Sequence, residues 1–228
     1  MLNKNKHDVR NWRTWALLAG LIGFALLLAL IEPKNLPRYA QHKTTATMFY
    51  VGEHGDESNG YISNTSSAWD EDWQSHFGGV DTPGNRNGWL PAEFTPKQNP
   101  FYIALPYNDL DNSGKRKTSA KKIYWYDLAV LDEMSMVKDR WIKICRDAVC
   151  AYGQWEDAGP FGEDDVNYVF GTASPRNKTG VKAGIDVSPA LDDYLKINGQ
   201  AEVIWQFIDE KDVPAGPWRD IITTNRIN

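Results

Sequence analysis

Cysteine is scarce in this chain: Cys145 and Cys150 are the only two among 228 residues. That scarcity excludes a cysteine-rich disulfide scaffold, and the pair with its neighbours is too few ligands for a structural metal site. No Gly-x-Ser-x-Gly, phosphate-binding loop, dinucleotide fingerprint or His-Glu-x-x-His occurs, so a serine hydrolase, a nucleotide enzyme and a zinc protease have no support. No internal repeat or low-complexity tract is visible. Basic residues are outnumbered, 25 Lys and Arg against 30 Asp and Glu. Phosphate backbones require the opposite balance, so nucleic acid is not an expected partner. No cofactor or metal is expected.

What is present begins with one apolar run. Residues 15–31, "WALLAGLIGFALLLALI", carry no charge. Seventeen residues is about the minimum for a helix that crosses a hydrocarbon core. Lys4, Lys6, Arg10 and Arg13 precede it against Asp8 alone. That asymmetry holds residues 1–14 in the cytoplasm and sends the rest across the inner membrane, to the periplasm or cell exterior. A cleaved signal peptide is the alternative, but "LIEPKNLPRYAQ" offers no small-residue cleavage site. Residues 32–45 read as a polar, proline-containing linker, which leaves 46–228 as one domain with a substantial core. Beyond residue 14 the chain holds 21 basic and 29 acidic residues.

The domain alternates short apolar stretches with turns. "ATMFYVGE" (46–53) and "NPFYIALPYND" (99–109) read as strands. Two more, about 140–146 and 149–156, flank Cys145 and Cys150 as a hairpin, which would let the cysteines face each other in a disulfide; two free thiols are the alternative. Ser66 or Ser67 is placed to cap a short helix with Trp69 and Trp73 on one face. "AGIDVS" is a strand that ends in a helix start, with Ser188 as cap and Pro189 at the first helical position. "AEVIWQFID" (201–209) closes the series. The fold class is therefore mostly β, a small barrel with short helices and long insertions, preceded by one transmembrane helix.

"EDAGPF" (156–161), followed by "GIDVSPALDDYL" (184–195), resembles the pattern of rare lipoprotein A-like proteins. These share a six-stranded double-psi β-barrel with barwin, expansins and family-45 endoglucanases. The likeness extends over roughly 46–209. It implies a module directed at cell-wall or extracellular polysaccharide, with Asp186 as proton donor in a sugar cleft and Asp157 close by. This chain has Ala158 where rare lipoprotein A usually has Arg, and Gly184-Ile185-Asp186 where the endoglucanases have His-Phe-Asp. On the opening strand, where those enzymes carry Asp, it offers only Glu53.

Two carboxyls suffice for glycosidic hydrolysis, and one for a lytic transglycosylase, in which a sugar hydroxyl displaces the leaving group. Asp186 and Asp157 are the expected catalytic residues, and the competing reading makes them structural, Asp157 as a turn residue. Glu156 is expected to face away from Asp157 on an extended strand. Glu163, Asp164 and Asp165 are expected in a solvated loop. "NDLDNSG" (108–114) resembles a calcium loop but has Ala120 where a bidentate Glu is needed, and reads as a turn. Of ten tryptophans, eight follow the apolar run. Trp69, Trp73 and Trp89, with Tyr50, are the candidates for stacking on sugar rings. A non-catalytic binding module and a protein-interaction scaffold are the rival functions.

Overall fold

The computed structural model describes residues 39–161 and 164–224, apart from the side chain of Ser58. The expected anchor at 15–31 lies outside them. Among the described residues no helix is long and apolar enough to cross a membrane.

Eight strands are found in this region: β1 (His42–Met48), β2 (Arg86–Asn87), β3 (Leu90–Pro91), β4 (Tyr102–Leu105), β5 (Trp141–Arg146), β6 (Val149–Ala158), β7 (Ile185–Val187) and β8 (Gln200–Phe207). Six of them close into a barrel in the order β1-β7-β4-β6-β5-β8, while β2 and β3 form a separate hairpin. The pairs β1–β7 and β4–β6 are parallel; the remaining barrel pairs are antiparallel. Three short helices accompany the barrel: α1 (Trp73–Phe77), α2 (Val166–Val169) and α3 (Pro189–Leu195). The linker expected to run to residue 45 ends sooner, because His42–Thr45 already pair with β8. His42, Thr44 and Ala46 alternate inward, a two-residue period that polar side chains hid from a hydropathy reading.

The barrel buries Ile103, Leu105, Trp155, Ile185, Val187, Trp205 and Phe207 in its main cluster. A second cluster, Phe49, Val51, Trp73, Phe77, Tyr102 and Ala104, forms on the other face of β4. The long insertion between β1 and β4 covers that face, which is why β4 reads as an unbroken apolar run.

The cysteine hairpin forms as expected. Cys145 and Cys150 are cross-strand partners joined by a disulfide, with Cα atoms 4.1 Å apart. Ser188 caps α3 by accepting from Leu191 N at 3.3 Å, and Pro189 follows as its first residue. The helix expected after Ser66 or Ser67 starts later, at Trp73. Ser67 and Asp70 instead close a turn, with Ser67 N donating to Asp70 O at 2.8 Å, and this leaves Trp69 outside the helix.

Candidate functional site

The candidate site is a row of side chains across three strands. Thr47 on β1 pairs with Asp186 on β7, Asp186 pairs with Ala104 on β4, and Ala104 pairs with Asp157 on β6. Cross-strand partners project to the same face, so Thr47, Asp186, Ala104 and Asp157 line up on the outer face of the barrel. Asp186 and Asp157 flank the small methyl of Ala104, about 10 Å apart in backbone terms at two strand spacings.

A β-bulge makes this alignment. Trp155 opposes Ile103, but the next pair is Ala104 with Asp157, so Glu156 is the extra residue. In a regular ladder Glu156 would stand beside Ala104. The inserted residue lets Trp155 stay in the main core while Asp157 reaches the acid row. Trp155 Nε1 donates to Asp157 O at 2.7 Å, and Gly159 N donates to Leu105 O at 3.1 Å, which fixes the strand end. Gly159 allows close approach: a Cβ there would lie 3.4 Å from Asp186 Oδ2.

Asp186 is half-buried, and Thr47 Oγ1 donates to its Oδ1. Burial pushes its carboxyl up to about 7. The Thr47 hydrogen bond opposes the rise, while the charges of Asp157 and then Glu53 add to it. Asp157 is held as an acceptor: its Oδ1 receives Ala68 N at 2.7 Å and Ala158 N at 2.8 Å. Glu53 follows β1 and receives Asn64 Nδ2 at 2.7 Å; burial raises its carboxyl as well. Three carboxyls therefore influence one another, two of them held by different hydrogen bonds to the covering insertion. Among the described residues no group of three or more His, Cys, Asp and Glu is placed to hold a metal ion.

The other candidates divide. Trp69 is next to the row, because Ala68 binds Asp157. It is half-buried, edge-on to Trp155 at 5.9 Å, and its Nε1 donates to Asn108 Oδ1 at 2.9 Å. Tyr50 lies beside Glu53, whose N–H donates to Tyr50 O at 3.1 Å. Trp73 is corrected: it is 1% exposed, packed between Phe49 and Tyr102, with no face left for a ligand. Trp89 is 36% exposed but stacks obliquely on Tyr194 at 5.2 Å and touches Phe101. Phe101 lies three residues before Ala104, about 10 Å along the strand direction, so Trp89 is separated from the acids.

One further expectation on the acidic stretch changes. Asp165 is buried, not solvated, and its Oδ2 accepts Arg176 N at 2.6 Å. Asp164 is exposed and pairs with Lys117. Glu156 is buried away from the acid row, under the charges of Asp139 and Lys138, with its carboxyl raised by burial first. In "NDLDNSG", Asp111 Oδ1 receives Ser113 N, Ser113 Oγ and Lys115 N, a self-closed turn. Asp109 faces inward to Ser135 and Met136.

No local signal in the sequence marks Thr47 or Ala104 as members of the row, or Phe161 and Tyr61 as exposed neighbours. Phe161 is 42% exposed and approaches Gly60, 3.6 Å from where a Cβ would lie, next to Tyr61, which is 74% exposed. "GPF" and "GY" were visible as letters, but only the fold brings them together.

No protein-family model matches the chain, and no characterised protein matches it by sequence. Among solved structures the chain is similar to "Streptomyces papain inhibitor (SPI)", at 9% identity and a TM-score of 0.31, over 77% of this chain and all of that one. What the structure defines is the class: a closed six-stranded β-barrel with short helices and an outward-facing acid row.

Proposed function

We propose that this is a membrane-anchored, extracytoplasmic barrel protein directed at peptidoglycan or another polysaccharide, and that Asp186 acts as a general acid on glycosidic bonds. The parallel β1–β7 and β4–β6 pairs are compatible with a double-psi barrel, the fold that the Gly-Pro-Phe and Ile-Asp-Val segments resemble. The Cys145–Cys150 disulfide supports an oxidising compartment. One observation carries the catalytic reading: a carboxyl held near 7 stands in register with a second carboxylate that accepts two backbone N–H groups. These are the two roles that glycoside cleavage divides between acids.

In this mechanism the protonated Asp186 gives its proton to the leaving glycosidic oxygen as the bond to the anomeric carbon breaks. Asp157 accepts a proton from the attacking group. That group is water in hydrolysis, or a hydroxyl of the same sugar in a transglycosylase. The two-strand spacing suits an attacking molecule between the acids better than a nucleophilic carboxylate at about 5 Å. Trp69, whose neighbour Ala68 binds Asp157, and the exposed rings of Tyr61 and Phe161 offer faces or edges to a sugar.

The test incubates the full chain with peptidoglycan and with cellulose-type polymers, and scores pull-down separately from released sugars. Released sugar that disappears in Asp186→Asn supports the enzyme. Pull-down without release supports a binding module, and neither result removes the polysaccharide reading. One observation favours a protein scaffold instead. Arg116 donates to the carbonyls of Val130, Leu131 and Met134, clamping a loop whose Leu128 and Leu131 are 83% and 65% exposed. That reading gains if the polymers are ignored.

A further inference from the structure

Exposed apolar side chains gather on the loop that precedes β5. Leu128 is 83% exposed, Leu131 65%, and Tyr124 and Met134 42% each. The loop is two consecutive turns: Val130 N donates to Asp127 O at 3.4 Å, and Met134 N donates to Leu131 O at 3.1 Å. Asp127 Oδ1 also accepts Ala129 N at 2.8 Å. Arg116 fixes both turns by donating to the carbonyls of Val130 at 3.0 Å, Leu131 at 2.7 Å and Met134 at 2.5 Å. One guanidinium that gathers three carbonyls holds residues 130, 131 and 134 close together. Val130 packs against the main core, while Leu128, Leu131 and Met134 stay in water. Leucines held outward by a fixed backbone form a surface made for contact, not a loose loop that could fold them in.

The chain enters the domain at the base of this loop. Tyr39, the first described residue, has its ring centroid 5.6 Å from that of Tyr124 and 6.2 Å from that of Trp125, and its hydroxyl donates to Asp209 Oδ1 at 2.7 Å. Only residues 32–38 separate Tyr39 from the apolar run that ends at Ile31. Fully extended, that stretch spans at most about 30 Å, roughly the diameter of a small domain. A bilayer that holds residues 15–31 is therefore always within reach of the corner made by Tyr39 and Tyr124. The local charge permits the approach. Residues 115–134 hold five basic and three acidic side chains, whereas the chain beyond residue 14 holds 21 against 29. Anionic headgroups would repel much of this acidic domain, but not this corner.

We propose that the loop at 124–134 docks on the surface of the bilayer that holds the anchor, with Leu128, Leu131 and Met134 entering the boundary between headgroups and acyl chains. The inference rests on the anchored reading of residues 15–31. Tyr124 supplies the amphipathic ring that suits headgroup level. Three apolar tips are a weak membrane ligand by themselves. A short tether makes their binding intramolecular, so a weak contact suffices to hold the domain in one orientation. A protein partner could cover the same leucines, but the nearness of the tether favours lipid.

The test reconstitutes the full chain in nanodiscs of phosphatidylcholine and phosphatidylglycerol. Cys145 and Cys150 are bonded to each other, so a nitroxide label goes to a single new thiol. The labelled variants are Leu128→Cys, Leu131→Cys and, as a control at an exposed position on another segment, Val181→Cys. Collisions with oxygen, which dissolves in lipid, are compared with collisions with a water-soluble nickel chelate. Expected at 128 and 131 are loss of nickel access and gain of oxygen access, while 181 stays open to nickel. A label in Met134→Cys should behave like those at 128 and 131, and should regain nickel access when Leu128→Ser and Leu131→Ser are added. Labels at 128 and 131 as open to nickel as that at 181 overturn the docking and leave the leucines to a protein partner. Extraction with alkaline carbonate separates this inference from the reading beneath it. A chain that leaves the bilayer removes the anchor, and the tether with it; a chain that stays while 128 and 131 remain in water removes the docking alone. If one labelled variant fails to fold, the other decides.

Discussion

Asp157 and Asp186 stand on either side of Ala104, in register, on strands that lie 29 positions apart in the chain. Neither strand is next to the other in the barrel; β4 lies between them and contributes only a methyl group. The acids therefore feel each other's charge without touching through a shared hydrogen bond.

The titration of Asp186 should follow its neighbours. Carbon-13 NMR of the carboxyl should find a midpoint near 7. Asp157→Asn removes a negative charge and should lower it, and Glu53→Gln should lower it less. Thr47→Val removes the hydrogen bond that favours the charged form and should raise it further. A midpoint unmoved by Asp157→Asn would show that the two acids are not electrostatically linked.

If glycan is cleaved, the rate should decline as pH rises through about 7, because the general acid loses its proton there. Asp186→Asn should remove cleavage by at least a hundredfold with the circular dichroism spectrum unchanged. Retention of full rate would remove Asp186 from the mechanism.

Stability should show two opposing pH slopes. His42 is stacked on Trp205 at 4.3 Å, and burial pushes its imidazole down to about 4 from 6.5. Its folded pKa is depressed, so its stability contribution is present above about 6.5 and lost as pH falls toward 4. Asp186 is raised from 3.8 to about 7, so its contribution is full below about 3.8 and lost as pH rises toward 7. In the unaltered chain the two largely cancel between pH 4 and 6.5. Relative to the unaltered chain, melts of Asp186→Asn should therefore show the slope of stability against pH shifted upward across that window, and melts of His42→Phe should show it shifted downward. Each change, summed over the window, should be on the order of 1–3 kcal/mol.

Gly184 precedes the strand that carries Asp186, and it has no room for a side chain. A Cβ would meet Thr44 Oγ1 at 2.4 Å, Tyr168 OH at 2.6 Å and Pro175 Cγ at 2.6 Å. Gly184→Ala should cost about 1–3 kcal/mol in chemical denaturation. Gly159→Ala meets Asp186 and Ala104 only at ordinary contact distances of 3.4 and 3.6 Å, so it should cost less.

Reduction of Cys145–Cys150 should lower the melting temperature by several degrees. The closed loop is short, so the entropy it removes from the unfolded chain is worth about 2 kcal/mol. An unchanged melt, with both thiols reactive before reduction, would place the pair outside a disulfide.

Local chemistry alone was enough for several parts of this protein. The Ser188–Pro189 helix start, the hairpin around the two cysteines and the closing strand were legible because caps, turns and alternation act between residues a few positions apart. The acid row was not legible in that way. Its geometry depends on pairing among β1, β7, β4 and β6, and on the one extra residue, Glu156, that carries Asp157 into line; no local period encodes a register between distant strands. The tryptophans show the same limit from the side of burial. Trp69 and Trp73 are alike in sequence, but the insertion folds so that Phe49 and Tyr102 enclose Trp73 and leave Trp69 at the rim, because burial is decided by what the rest of the chain brings to each side.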